Sequence, residues 1–447
     1  MKNLQYILFI FIFNVINAQK GTFTEYTYKC NDSITRPYVV YKPKQYQENK
    51  PNTLVVFLHN SVSAPNIKSN PLEISKNSEW IELADEANFC ILFPYGQKNA
   101  SWFNSTGVDM VLAQIQSVQG QLNINPNKII LTGFAEGATG VLYFSMTNSD
   151  IFSGFIAING SLKEADKIGE LDLFPSNMNQ KPFLIYNSSK DIHYSYQQHQ
   201  NSAEYLQKFN NNISFREDYN KNEKNYLDPK QNEIIEFINT LSDKQADTFE
   251  FETSKEDEQF DFIQINKINT ELQALAWHPT YQLRLLDDRV NLDMKYNYNT
   301  QEKNIVVTGM KKNGNAHNIG LQVEDVIIKF ENDSISSSYA PFYYTINKKA
   351  GDPTEITVIR NGTEQVIKGR FNKGTYYNIF DKNKKSAKIK VHLLKNELII
   401  ETSRVVVFTV DFDKIPTKIK TININGVQQK VKYPSGNNPK IVSFTTT

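Results

Sequence analysis

The sequence predicts an α/β protein: a doubly wound, largely parallel sheet in the first half, followed by a smaller β-rich second half. Two observations carry this. Between about residues 50 and 242, short continuous apolar runs (53–58, 89–93, 128–132) alternate with stretches of helical periodicity (80–87, 109–122). Consecutive apolar residues suit strands buried on both faces, and strands alternating with helices imply a parallel sheet covered on both sides. From about 280 to 445 the period becomes two, as over 355–359 and 397–401, with turn pairs at Asn361-Gly362, Asn425-Gly426 and Ser435-Gly436. That is the signature of short half-buried strands joined by tight turns.

Taken in order, the first half should read strand 53–58, helix 80–87, strand 89–93, helix 109–122 (Val111, Leu112, Ile115, Val118 and Leu122 on one stripe), then strand 128–132. A glycine turn and a helix from about 138 follow. Strands at 152–159 and 182–186 and a closing amphipathic helix at 233–241 complete it. In the second half one short helix is expected near 315–319. No internal repeat or low-complexity tract interrupts the chain.

Composition narrows the function classes. The 447 residues carry 49 Lys and Arg against 48 Asp and Glu, a formal net charge of +1. A protein built to grip phosphate backbones carries a basic excess, so nucleic acid is not an expected partner. Two cysteines, Cys30 and Cys90, exclude a disulfide-dense scaffold and a four-cysteine zinc site, and leave open whether they pair. Residues 1–18 combine Lys2, an apolar run over 7–13 and a small residue, Ala18. This is the pattern of a secretory signal peptide, its apolar run too short to span a bilayer. An uncleaved anchor helix is the alternative. The mature chain is expected to be exported, periplasmic or extracellular, with no membrane span after cleavage.

The segment richest in chemistry is Ile129-Ile-Leu-Thr-Gly133-Phe134-Ala135-Glu136-Gly137. A buried strand enters two glycines four residues apart and then a helix, which is the frame of a nucleophile elbow, G-x-S-x-G. Ala135 occupies the central position, where a methyl group cannot attack a carbonyl. Upstream, 54–60 ends in His59-Asn60, Phe93-Pro94-Tyr95-Gly96 precedes Trp102, and downstream Asp191 follows an apolar strand. Over about 35–242 these segments resemble secreted α/β-hydrolase-fold esterases similar to polyhydroxybutyrate depolymerases and feruloyl esterases.

The resemblance implies an oxyanion loop at Asn60 and Glu136, where a glycine usual at position 60 is replaced. It implies an acid at Asp191 and a histidine base between 210 and 232. That interval holds no histidine, and the base position falls near Asn225. A Glu136 carboxylate as a general base on water is one reading; a solvated residue at a helix N-terminus is the plainer one. His59 reads as a loop residue holding backbone. His193 and His199, six apart, do not match the i, i+4 spacing of a helical metal site, so neither metal nor cofactor is expected.

Farther along stand Asn304–Gly309, Gly314-Asn-Ala316, Gly320-Leu321, Asp325-Val326-Ile-Ile328, Gly351-Asp352 and Ile356 to Arg360-Asn361-Gly362. These resemble a bacterial PDZ domain of the kind found beside secreted proteases, with Glu324 where glycine is usual. The resemblance implies capture of protein C-termini or extended peptides by strand addition. A purely structural PDZ-like module is the alternative, since 280–303 holds no recognisable carboxylate-loop motif.

The expected organisation is a signal peptide (1–18), an α/β-hydrolase-like domain (19–242), an acidic linker (243–265), a PDZ-like domain (266–372) and a β-rich C-terminal domain (373–447). The expected function is non-catalytic: an esterase-like binding or scaffolding protein. An active carboxylic-ester hydrolase with displaced catalytic groups and a PDZ-mediated peptide binder are the alternatives.

Overall fold

The computed structural model describes residues 21–63, 70–189, 195–218, 226–227, 230–242, 244, 246–434 and 438–446. The expected signal peptide lies outside them.

The first half is an eight-stranded sheet of β1 (Thr22–Lys29), β2 (Thr35–Lys42), β3 (Asn52–Leu58), β4 (Cys90–Pro94), β5 (Ile124–Phe134), β6 (Gly154–Ile158), β7 (Phe183–Ser188) and β8 (Ile213–Asp218). Their order is β1-β2-β4-β3-β5-β6-β7-β8. β1 and β2 enter antiparallel, and every pair from β3/β4 to β7/β8 is parallel. This is the strand order of an α/β-hydrolase sheet. Apolar side chains alternate between two cores: Leu54, Val56, Leu131 and Phe155 face one, and Val55, Phe57, Ile130 and Ile156 the other. Burial on both faces is why these strands read as unbroken apolar runs. The helices Trp80–Ala87 and Ser105–Gln121 cover opposite faces, through Trp80 and Leu83 and through Val111 and Ile115 respectively. Cys30 and Cys90 are both buried and both free thiols.

The stretch expected as a linker, 243–265, holds strand among its described residues. Thr248–Thr253, Glu258–Phe260 and Ile263–Ile268 are strands. The first pairs with Ala387–Leu393, and the third with Val405–Asp411. The acidic composition hid a period-two pattern in Phe249-Glu250-Phe251-Glu252. Phe249 and Phe251 enter the core, and Glu250 pairs at 2.6 Å with the buried Lys388. A four-stranded and a five-stranded sheet thus enclose one core that draws on 248–268 and 387–445. The C-terminal β-rich region does not stand alone from 373; its sheets are completed by strands from before the PDZ-like segment.

That segment is inserted between the two halves of the β-sandwich. Its sheet runs Met294–Asn299, Asn304–Met310, Val326–Phe330, Pro353–Arg360 and Thr363–Arg370, with the helices Asn315–Ile319 and Ala340–Thr345. Asp325, 1% exposed, holds the Arg360 guanidinium by two 2.7 Å bonds, and Arg360 also donates to the Gly320 carbonyl. Glu324 stands at φ +76, which explains why glycine suits that position. The insert is reached and left through a ribbon of Leu283–Asp287 paired with Thr375–Ile379. Leu285, Ile379 and Phe380 pack into the hydrolase-like core, and Asp287 pairs with Lys163 at 3.2 Å.

Two stability changes follow from this packing. Replacing Glu324→Gly removes a positive-φ side chain and is expected to raise unfolding free energy by about 1 kcal/mol in urea titration. Asp150 accepts the Asp261 N–H at 3.1 Å across the two domains, and burial pushes its carboxyl up to about 6 against the opposing influence of that bond and of Lys181. A carboxyl raised from 3.8 favours the fold when neutral, so its contribution is lost as pH rises from about 4 to 6. Asp150→Asn should therefore raise Tm at pH 7 and leave it unchanged near pH 4.

Candidate functional site

The elbow is formed in full. β5 ends at Phe134, and the helix Glu136–Thr147 begins two residues later. Ala135 sits between them at φ 51, ψ −114, a backbone region that disfavours a Cβ. Its N–H donates to the Ile158 carbonyl at 2.9 Å, and its carbonyl accepts from the Thr139 N–H at 3.0 Å. The flanking glycines are demanded by backbone contact. A Cβ on Gly137 would lie 1.9 Å from the Leu58 carbonyl oxygen, and one on Gly133 would lie 2.5 Å from the Gly137 carbonyl carbon. The apex is half-buried and presents only a methyl group.

The neighbouring loop is occupied by the chain's own carboxylate. Glu136 accepts from the Ser63 hydroxyl and, at 3.3 Å, from the Ser63 N–H. An oxyanion needs free N–H donors at this place. Here a negative charge already faces the loop that follows β3, and it opposes a second one. Through these bonds the Glu136 carboxylate ties the loop down at Ser63. Asn60 is exposed and uses its carbonyl to accept from His59 Nδ1 at 2.6 Å.

His59 is structural. Its Nε2 accepts the Gly96 N–H at 3.0 Å, its carbonyl accepts from Trp102 Nε1 at 2.9 Å, and its ring meets Trp102 edge-on. Nε2 must be unprotonated to accept, and burial holds the imidazole below its ordinary pKa. The sequence segments carrying His59, Gly96 and Trp102 are thus one packed unit.

Asp191 and Asn225, the expected acid and base positions, lie outside the described residues, as does His193. Immediately after Asn225, Tyr226 is described. Its ring stacks on Phe134, the residue before the elbow, at 4.4 Å and 24°. Burial, with Glu79 nearby, raises its phenol well above the usual value. Leu227 is fully buried, and its N–H donates to Glu79 at 3.0 Å. His199 lies buried on the helix Tyr196–Leu206, its pKa lowered to about 3 by burial.

Among the described residues His278 meets two serines, and Ser386 Oγ lies 3.1 Å from its Nε2. Ser403 Oγ lies 3.0 Å from His278 Nδ1, and His278 Nε2 lies 3.0 Å from Glu252 Oε1. Sequence reasoning missed this set because its members are distant in the chain and share no motif. Ser386 and Tyr281 also bond Glu252, and Ser176 of the hydrolase-like domain joins through Tyr281 and Glu252. The set is sealed: Ser403, His278 and Glu252 are 2%, 7% and 1% exposed. Ser176 precedes β7, so the cluster lies at the amino edge of the sheet, away from the elbow, and acts as a polar pin between domains. A cleft of about 1380 Å³ lies at that same edge, lined by Asp150, Lys181, Phe209, Trp277 and Lys390. Among the described residues no group of His, Cys, Asp and Glu is arranged to hold a metal, and no helix is long and apolar enough to cross a membrane.

A second candidate surface lies on the PDZ insert. The strand Met294–Asn299 is at the sheet edge, and Tyr296 and Tyr298 donate to the carbonyls of Ser338 and Ser336, ahead of the helix Ala340–Thr345. Between strand and helix runs a groove of about 680 Å³ walled by Met294, Tyr296, Met310 and Phe342.

The elbow contacts set opposite expectations for two small substitutions. Gly137→Ala should cost at least about 3 kcal/mol, because the carbonyl it strikes belongs to a central strand. Ala135→Gly should raise stability by about 1 kcal/mol by relieving the positive φ. Chemical denaturation of both variants checks the pair.

Two family models match parts of this chain. The phospholipase/carboxylesterase family matches residues 45–242, and the PDZ domain family matches 289–368. No curated protein matches the chain. Among solved structures, it is similar to the fluorophosphonate-binding serine hydrolase F of Staphylococcus aureus, at 15% identity over 49% of this chain and 99% of that one, TM-score 0.40. It is also similar to an S-formylglutathione hydrolase from Agrobacterium tumefaciens, at 12% identity over 50% and 96%, TM-score 0.40. An acylaminoacyl peptidase of Pyrococcus horikoshii is similar at 14% identity over 51% and 43%, TM-score 0.42. The chain carries a phospholipase/carboxylesterase-type α/β-hydrolase domain and a PDZ domain, joined by a β-sandwich into which the PDZ domain is inserted.

Proposed function

We propose that this is an exported, non-catalytic esterase-like protein that works by binding, as a scaffold in the cell envelope or outside it, with the PDZ groove as its binding element. The observation that carries the reading is Ala135 at the apex of an otherwise complete elbow. Acyl transfer through this fold requires a nucleophile there, and losing triad members costs roughly 10⁴ to 10⁶ in turnover. The Glu136 carboxylate on the Ser63 N–H adds an electrostatic obstacle to oxyanion binding. Export rests on the pattern of residues 1–18, and peptide binding rests on the edge strand beside the helix Ala340–Thr345.

The competing reading, a carboxylic-ester hydrolase with displaced groups, has the Ser403, His278 and Glu252 alignment on its side. Burial of all three weighs against it, since no ester reaches a sealed hydroxyl.

The full chain incubated with a fluorophosphonate probe is expected to remain unlabelled, and short acyl esters should hydrolyse no faster than with an inert protein. Stoichiometric labelling, or saturable hydrolysis abolished by Asp191→Ala or Ser403→Ala, would overturn the proposal in favour of the hydrolase.

A further inference from the structure

We propose that the PDZ groove selects an internal, extended protein segment in which acidic residues alternate with apolar ones, rather than a free chain terminus. The inference rests on the peptide-binding reading above and adds the class of partner.

The head of the groove is where a terminal carboxylate would be seated if backbone donors were open. That place is taken. The Asp293 N–H donates to Asn291 Oδ1 at 2.8 Å, and the Asp293 carboxylate accepts the Asn315 N–H at 3.2 Å. Gly314 makes the arrangement close: a Cβ there would fall 2.6 Å from Asp293 Cβ. An incoming terminal carboxylate would meet the chain's own charge with these donors already spent.

Strand addition itself does not need a terminus. Among the described strands Met294–Asn299 pairs only with Asn304–Met310, so its outer edge offers main-chain hydrogen bonds to an added strand. A strand laid against that edge turns successive side chains to opposite faces. Those on the helix side enter the wall of Met294, Tyr296, Met310 and Phe342, which asks for an apolar residue. Those on the other face come beside Lys295, which follows Met294 in the strand, with Lys311 at the same rim. Both lysines are exposed, and neither forms an ion pair among the described residues. Opposite charges directly across a strand pair are favourable, and such rim charges set partner choice more than raw affinity. The two faces together therefore specify alternating acidic and apolar residues.

The test is fluorescence anisotropy of the full chain with three labelled peptides. The first alternates glutamate with leucine and is blocked at both ends. The second replaces each glutamate by glutamine. The third is the glutamine peptide with a free C-terminus. The blocked acidic peptide is expected to bind about tenfold tighter than the blocked glutamine peptide, and to lose about that factor with Lys295→Glu plus Lys311→Glu or at raised salt. Binding by the free-terminus peptide alone would overturn this inference while leaving PDZ peptide capture intact. Equal binding of the two blocked peptides would do the same. Failure of all three would count against peptide binding by this groove altogether.

Discussion

The hydrolase-like domain is organised around one close approach of backbone to backbone. The Leu58 carbonyl at the end of β3 lies where a Gly137 side chain would have to be, and Gly133 meets Gly137 from below. This contact forces the chain to reverse within one residue, so Ala135 holds a positive φ and the helix Glu136–Thr147 starts over the carboxyl ends of the central strands. In an esterase such strain presents a nucleophile. Here the strain persists without one. Strained backbone is kept only where the surroundings over-determine it, and Leu58, Gly133, Gly137 and the Ile158 carbonyl do so. The elbow remains because the packing of three strands depends on it.

Around the elbow the described side chains make packing and loop-holding contacts. Glu136 ties down the loop after β3, Tyr226 lies flat on Phe134, and His59 serves Gly96 and Trp102. At the opposite edge, Glu252, His278, Tyr281 and Ser176 pin the β-sandwich to the sheet. A buried carboxylate is costly unless its lone pairs are met, and Glu252 has hydrogen bonds with four side chains, Ser386, His278, Tyr281 and Ser176, with the Lys388 ammonium 4.0 Å away. The PDZ domain hangs from the sandwich by both ends. Its ribbon rests on the hydrolase-like core through Leu285 and Phe380.

Much of this was legible in the sequence wherever local rules decide. Gly133 and Gly137 announced the elbow because a side chain on Gly137 would strike Leu58 and one on Gly133 would strike Gly137, and Gly320-Leu321 with Asp325 marked the PDZ insert because Arg360 needs that carboxylate. The helices Trp80–Ala87 and Asn315–Ile319 fall where their patterns put them. What was not legible depends on pairing across long sequence distances. The partner of Thr248–Thr253 lies beyond an entire inserted domain, so a strand with glutamate at every second position read as a linker. The Glu136 to Ser63 contact and the Glu252 cluster are set by tertiary placement and have no motif. Asp191 and Asn225 lie outside the described residues.

The most direct measurement is the intact mass of the protein after incubation with an activated acyl ester. An elbow that offers only a methyl group leaves the mass unchanged at every time point. A stoichiometric acyl adduct, located by peptide mapping on any serine of the hydrolase-like domain, would show that a nucleophile operates there and would contradict a non-catalytic site.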